Sequence, residues 1–404
     1  MGSLQTPTTT GNVSYTGPDF TPKLILFFLN TANGNETAAE ARTMIGAAVS
    51  TTSRVVSGYA SGNNLATTNC AVFDDNTSCI YLADATPTAL KVADLVSMDT
   101  GGFTLSWSTA DASTFTVDYI ALGGADLTNV ATGTLAEKTT TGSQAYTGVG
   151  FAPTALFVWQ AKRTSSTTFP SSFNGTSRLR VGFSDGTNDG YTCIRSQDNA
   201  AAANTARSQD TSNIIGCIAL TTNVIDDLAS LTSFDADGFT FNWSVVNGTA
   251  NTHFYVALRG PQFKVGSISQ PTSPASVSTT GVGFRPKMLY FQSFQSTATA
   301  SVIDDAQLSQ GGAQTSSTYF TKLFNDEDAA DPTNTDSARD NTYAVKIYDD
   351  AASSTVASAK LVTMSPNGFS LNWDVADATA REILYFAAGD FSGPPSRLML
   401  GVGS

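Results

Sequence analysis

The chain holds one histidine and four cysteines in 404 residues, and only 14% of it is charged. That supply gives no zinc ligand set at the usual spacing, so neither a metal nor a cofactor is expected. Lys and Arg number 21 against 34 Asp and Glu, for a net charge of −13. Because phosphate binding needs clustered cations, scattered ones argue against a nucleic-acid partner. Long apolar runs are missing too: the longest, "LILFFL" at 24–29, is far below the roughly 18 residues of a membrane span. The opening "MGSLQTPTTTGNVS" has no basic region followed by an apolar one, so neither a cleaved export signal nor a membrane anchor is expected.

What is present is repetition. "GFTLSWSTADASTFTVDYIALGG" at 102–124 returns as "GFTFNWSVVNGTANTHFYVALRG" at 238–260 and as "GFSLNWDVADATAREILYFAAGD" at 368–390. Each copy also opens alike, with "YTGPDFTPKLILFF" from Tyr15, "YTGVGFAPTALFVW" from Tyr146 and "TTGVGFRPKMLYFQ" from Thr279. Phe20, Phe151 and Phe284 therefore correspond, as do Trp107, Trp243 and Trp373, and Tyr119, Tyr255 and Tyr385. The Phe-to-Trp spacings of 87, 92 and 89 residues place most variation in loops between fixed ends. A site of chemistry is usually built once, so a pattern written three times points to a structural unit.

In each closing stretch apolar residues alternate with polar ones: Phe103, Leu105 and Trp107 against Thr104, Ser106 and Ser108. This is the period of a strand with one face buried. Leu24 to Leu29 is apolar on both faces, as in a strand covered on each side. The expected fold is all-β, with three tandem β-sandwich domains of jelly-roll or lectin type, bounded at 1–124, 125–260 and 261–404, the last with a C-terminal tail. "TGTLAEKTTTGS" and "SISQPTSPAS" read as linkers, and "ETAAEARTMIGAA" at 36–48 as a place for a helical turn or two. Gly102, Gly238 and Gly368 fall in turns, where positive φ is often needed. Cys70 and Cys79 flank an acidic loop, and Cys193 and Cys217 flank a longer one at a matching distance before the Trp. That pairing leaves open either two disulfides or buried thiols.

The best candidate for catalysis is "GFSDG" at 182–186, a G-x-S-x-G with His253 downstream and Asp226 or Asp237 between them. The motif needs a helix after the serine, whereas Ser184 precedes "DGTNDGYTCI", a turn and a strand. His253 stands where the other copies carry Val117 and Ile383, which favours a packing residue over a general base. The carboxylate-rich loops at 73–78, 184–190 and 325–341 lack the ordered spacing of a calcium loop. The repeated Trp and Tyr could line a sugar platform, but their alternation with Phe and Leu favours burial.

The combination "TGVGFxP", an apolar strand, "LTSFDADGFTFNW" and a closing "YVALRG" resembles repeated modules of tailed-phage virion structural proteins, those of head surface, tail and fibre. The likeness covers the ends of all three copies and is clearest in the second; the first departs from it with "GPDF" and without "DADG". It implies a noncatalytic building block assembled in the host cytoplasm and resident in the virion, and the expectation for this chain is a capsid decoration or cement protein or another head or tail surface protein. Its implied partners are other capsid or tail proteins and further copies of itself. The alternative is a glycan-binding adhesin or tail-fibre module that meets a host-surface glycan.

Overall fold

Alternating Phe, Leu and Trp give strand Gly102–Ala110 one buried face, and the same pattern gives Gly238–Val245 and Gly368–Val375. The computed structural model describes residues 1–161, 170–297, 300–349 and 354–390, so the expected tail at 391–404 lies outside the described residues. Among these the chain is all-β, and every strand pairing is antiparallel. Strands Gly2–Gln5, Thr116–Leu122, Leu24–Asn30, Ala41–Ala48, Arg54–Ser61 and Cys70–Asp75 lie side by side in that order in one sheet. Gly11–Thr16, Gly102–Ala110, Ala89–Asp99 and Ile80–Ala83 form a second, four-stranded sheet. The two pack face to face over Ile25, Phe27, Leu29, Phe103, Leu105 and Trp107. The same order recurs in two further pairs of sheets, which begin at Asn129–Ala136 and Phe263–Ser269.

Each large sheet is completed by a seventh strand that belongs to another copy. Glu36–Ala39 of the first copy pairs with Thr335–Asp340 of the third. Ser171–Asn174 of the second pairs with Cys70–Asp75 of the first, and Ser301–Asp304 of the third pairs with Thr205–Asp210 of the second. The three donations run in one sense and close a ring. Loops repeat the closure by exchanging backbone hydrogen bonds: Thr68 with Asn199 and Ala200, Ala203 with Ala329 and Ala330, and Thr333 with Asn64 and Leu65. Donated strands cap sheet edges that would otherwise offer unpaired N–H and C=O groups.

The ring explains why Leu24–Asn30 is buried on both faces. Ile25, Phe27 and Leu29 face the neighbouring small sheet, while Leu24, Leu26 and Phe28 face a core shared by all three large sheets. In that shared core Phe28 meets Tyr290 at 5.3 Å and Phe320 at 5.2 Å, and Phe157 meets Phe386 at 4.5 Å between ring centroids. Each such side chain contributes about 1.5–3 kcal/mol by burial, so the centre is a main source of stability and not a channel.

Several expectations need correction. The stretch at 36–48 forms strands Glu36–Ala39 and Ala41–Ala48 with no helical turn, because pairing with the third copy outweighs the helix propensity of Glu and Ala. The two Thr- and Ser-rich "linkers" contain strand residues, including Asn129–Ala136 and Phe263–Ser269, whose alternating polar face is half exposed. The chain crosses between copies at 123–128 and 260–262 instead. Gly238 and Gly368 have φ of 150° and 154°, but Gly102 does not take a positive φ. What all three share is a close approach: a Cβ there would sit 1.9–2.2 Å from the carbonyl oxygen of Tyr146, Thr279 or Tyr15.

Candidate functional site

The ring junctions hold buried polar groups as well as apolar ones. Asp118, on the shared-core side of Thr116–Leu122, receives Arg339 Nε at 2.8 Å and Nη2 at 2.6 Å, with Lys322 Nζ at 3.0 Å. Asp118 belongs to the first copy and both cations to the third. Burial alone would raise the Asp118 carboxyl, but Lys322 and Arg339 outweigh it and hold it below the ordinary range. Burial lowers Lys322 to about 8 despite that carboxylate. Elsewhere in the ring Ser61, Ser196 and Asp326, each the last residue of an equivalent strand, converge from the three copies, and both serines hydrogen-bond the Asp326 carboxyl. Burial pushes that carboxyl up to about 6.

A second polar cluster lies inside the sandwich of the middle copy. Strand Ser177–Ser184 points Arg178 and Arg180 to one side, where Arg180 binds Glu137 and Gln160. Glu137 also accepts from Asn251 and from His253 Nε2, the latter at 2.7 Å. Arg178 Nη1 reaches Asp226 at 2.9 Å, and its Nη2 lies 3.6 Å from Asp227. All of these residues except Asp226 are at least nine-tenths buried. Burial and the charge of Arg180 lower His253 to about 4, so at neutral pH it is an uncharged donor to Glu137, and its Nδ1 has no partner among the described residues. Burial and the Glu137 charge push Asp227 up to about 7.

The three tryptophans expected to be structural are fully enclosed: Trp107, Trp243 and Trp373 are 1%, 0% and 1% exposed. Trp107 Nε1 donates to Tyr15 Oη at 3.0 Å and Trp243 Nε1 to Tyr146 Oη at 3.1 Å. Tyr119, Tyr255 and Tyr385 meet Phe103, Phe239 and Phe369 edge-on at 5.2–5.4 Å. Phe20 and Phe284 are half-buried at their corners, and Phe151 is buried. The three Trp, the three Tyr and Phe151 are buried in sandwich interiors, so their rings offer no face to a sugar, while Phe20 and Phe284 pack against those interiors from the corners.

The cysteines overturn part of the sequence reading: all four are buried and free. Cys70 and Cys79 cannot pair as the loop suggested, because they lie on different sides of the large sheet. Cys70 shares its strand face with Val72, which joins the shared core, and contacts Ser61; Cys79 packs inside the sandwich and donates to Ala93 O. Nor do the two pairs correspond between copies. The backbone partner of Cys79 matches that of Ile214, whereas Cys217 lies three residues further on. Cys193 and Cys217 do face one another, with their sulfurs 4.0 Å apart.

The residues of the serine-hydrolase pattern are not assembled. Ser184 is 0% exposed, ends a strand that turns directly into Asp189–Ser196, and accepts from Gly186 N–H at 3.1 Å. His253 is bound to Glu137, Asp226 to Arg178, and Asp237 to the N–H groups of Gly148 and Gly150. The acidic loops have protein donors on their carboxylates: Asp75 accepts from Thr77, Asp185 from Thr187 and Asn188 of its own loop and from Val265 of the third copy, and Asp328 from Thr205 of the second. Cys217, Asp226 and Asp227 place ligand-type atoms within 4.8 Å of one another, but the guanidinium groups of Arg178 and Arg180 already supply the positive charge there. A surface cavity of about 430 Å³ opens where the third copy meets the first, between Met1, Phe20, Leu122, Met288 and Asp390. At the other two junctions the chain itself crosses over.

Sequence reasoning missed the ring and the middle cluster. The signal for the cluster was present: in "SRLRVGFS" Arg178 and Arg180 alternate with Leu179 and Val181, which directs both arginines to one face of a strand. The donated strands carried no such signal, because a four-residue strand such as "ETAA" takes its meaning from a partner some 300 residues away. Known protein-family models give no match to this chain, and neither do curated proteins.

Proposed function

We propose that the chain is a noncatalytic structural subunit of a virion surface, a capsid decoration or cement protein built from three tandem β-sandwiches of jelly-roll type. The observation that carries this reading is the cyclic exchange of strands. One chain assembles the shape that three identical chains make by swapping strands, and such a shape suits a threefold or quasi-threefold position on a shell. The repeated Phe, Trp and Tyr, the ion pairs between copies and the central aromatic core all serve rigidity. A rigid, acidic, closed body is what a surface subunit requires, and its partners would be shell proteins and neighbouring copies. The adhesin alternative gains little support, since the large apolar side chains left exposed among the described residues are Val96, Val224, Val362 and Val375, none of them aromatic.

The test is cryo-electron microscopy of particles that carry the protein. Density for one chain centred on each threefold or quasi-threefold position is the expected result. A protein that belongs to no particle and binds polysaccharide on a glycan array would replace this reading with the adhesin.

A further inference from the structure

Glycine brings the two sheets of the middle copy close together. A Cβ on Gly182 would sit 1.8 Å from Ile214 O, and one on Gly216 would sit 1.9 Å from the Tyr191 ring. Gly182 pairs with Tyr191, two residues from Cys193, and Gly216 directly precedes Cys217. Close approach at these glycines sets Cys193 of Asp189–Ser196 against Cys217 of Ile215–Ile218, in the opposite sheet, with 4.0 Å between the sulfurs. Both are fully buried among Tyr191, Ala206 and Ile218. The corresponding places in the third copy are taken by Leu323 and Ile347, both buried and apolar. The thiol pair thus stands at an ordinary packing position, but only in the copy that also buries Arg178 and Arg180.

We propose that Cys193 and Cys217 form a redox-active dithiol, which a small hydroperoxide oxidises to a disulfide that joins the two sheets of the middle copy. Cys193 is the attacking sulfur. Its burial would raise the thiol, yet the hydrogen bond from Cys217 and the charges of Arg178 and Arg180 outweigh this and hold it below the ordinary value. Cys217 is pushed well above its ordinary value by burial and by its neighbour, so it remains a thiol. The Nε groups of Arg178 and Arg180 have no hydrogen-bond partner among the described residues, and Arg180 lies directly opposite Cys193 in the strand pairing.

The chemistry balances with one peroxide. The Cys193 thiolate attacks one peroxide oxygen, the O–O bond breaks, and a sulfenic acid and hydroxide result. The hydroxide takes the proton of Cys217. The Cys217 sulfur then displaces the hydroxyl of the sulfenic acid as hydroxide, which becomes water by taking back the proton that Cys193 released on ionising. Two thiols and one hydrogen peroxide become one disulfide and two waters. The inference is independent of the virion reading, although a subunit assembled reduced and later released into an oxidising medium would gain the staple after assembly.

Full-length protein is treated with hydrogen peroxide, unfolded in an alkylating agent without reductant, digested and analysed by mass spectrometry. The expected product is a Cys193–Cys217 linked peptide, with Cys70 and Cys79 alkylated and a melting temperature several degrees higher. Cys217→Ser should abolish the link and leave Cys193 as a sulfenic acid that dimedone captures. Cys70→Ser should leave the link unchanged, which controls for a folding defect. Recovery of all four cysteines alkylated, or a link that involves Cys70 or Cys79, would overturn the proposal.

Discussion

The middle copy and the first place the same strands in the same register around different interiors. Where the first copy has Thr6, Leu29, Met44, Phe115 and Val117, the middle one has Glu137, Gln160, Arg180, Asn251 and His253. Backbone pairing fixes the correspondence: Leu29 lies between Met44 and Val117, Gln160 is opposite Arg180, and Thr6 and Glu137 donate to Phe115 O and Asn251 O. One interior is apolar and the other is an ion and hydrogen-bond network, yet the pairing is unchanged. The backbone is therefore specified by alternation, glycine placement and the shared core, and the sandwich interior tolerates either chemistry if it is internally complete.

The largest effect should come from breaking the network at one point. Glu137→Ala leaves the Arg180 charge buried without its carboxylate, and a loss of about 3–5 kcal/mol is expected in chemical denaturation. Met44→Ala, at the Arg180 position of the first copy, should cost about 2–5 kcal/mol, as an ordinary cavity does, with no dependence on salt or pH.

A somewhat smaller effect separates the two interiors by pH. The folded-state value of His253 is lowered to about 4 from 6.5. Between those values the unfolded chain takes up a proton that the folded chain refuses. The resulting stability is present above about pH 6.5 and is lost as pH falls towards 4, by up to about 3 kcal/mol. His253→Val should flatten that part of a stability-versus-pH curve. Asp326 works in the opposite sense: its folded value of about 6 lies above the ordinary 3.8, so its contribution is present at low pH and is lost as pH rises through that window. Asp326→Asn should raise stability at pH 7.5 by about 1–3 kcal/mol and change little at pH 4, as read from melting curves at the two values.

The smallest net change is expected from replacing the Glu137 side of the network at once. Grafting the first copy's residues as Glu137→Thr, Gln160→Leu, Arg180→Met, Asn251→Phe and His253→Val removes Glu137 and the groups around it together and leaves Arg178 with Asp226 and Asp227. Stability within about 2 kcal/mol of the parent is expected, on the stabilising side if the graft packs well. A loss as large as that of Glu137→Ala alone would show that the charges do more than fill the space.

Much of the local architecture was legible in the sequence. Alternation around Trp107, Trp243 and Trp373 gave the strands and their buried face, and the two-sided apolar run from Leu24 correctly required cover on both sides. What provides the second cover was not legible, because Phe28, Phe157 and Tyr290 meet across three copies and such contacts leave no short-range pattern. The cysteines misled for a related reason. Spacing along the chain carries no information about which face of a strand a thiol occupies, and Cys70 and Cys79 fall on different sides of one sheet. Asp118 likewise carries no signal in "TVDYIAL" for its role as an anion that ties the third copy to the first.

The central claim, that the chain is one closed ring and not three separable domains on linkers, can be tested by cutting it. A protease site is inserted between Gly260 and Pro261, where the chain crosses from the second copy to the third, and the cleaved protein is analysed by native mass spectrometry. The donated strands, the loop exchanges and the shared core predict that both fragments remain together at the mass of the intact chain and melt as a single unit. Fragments that separate under native conditions, each retaining its own fold, would contradict the ring.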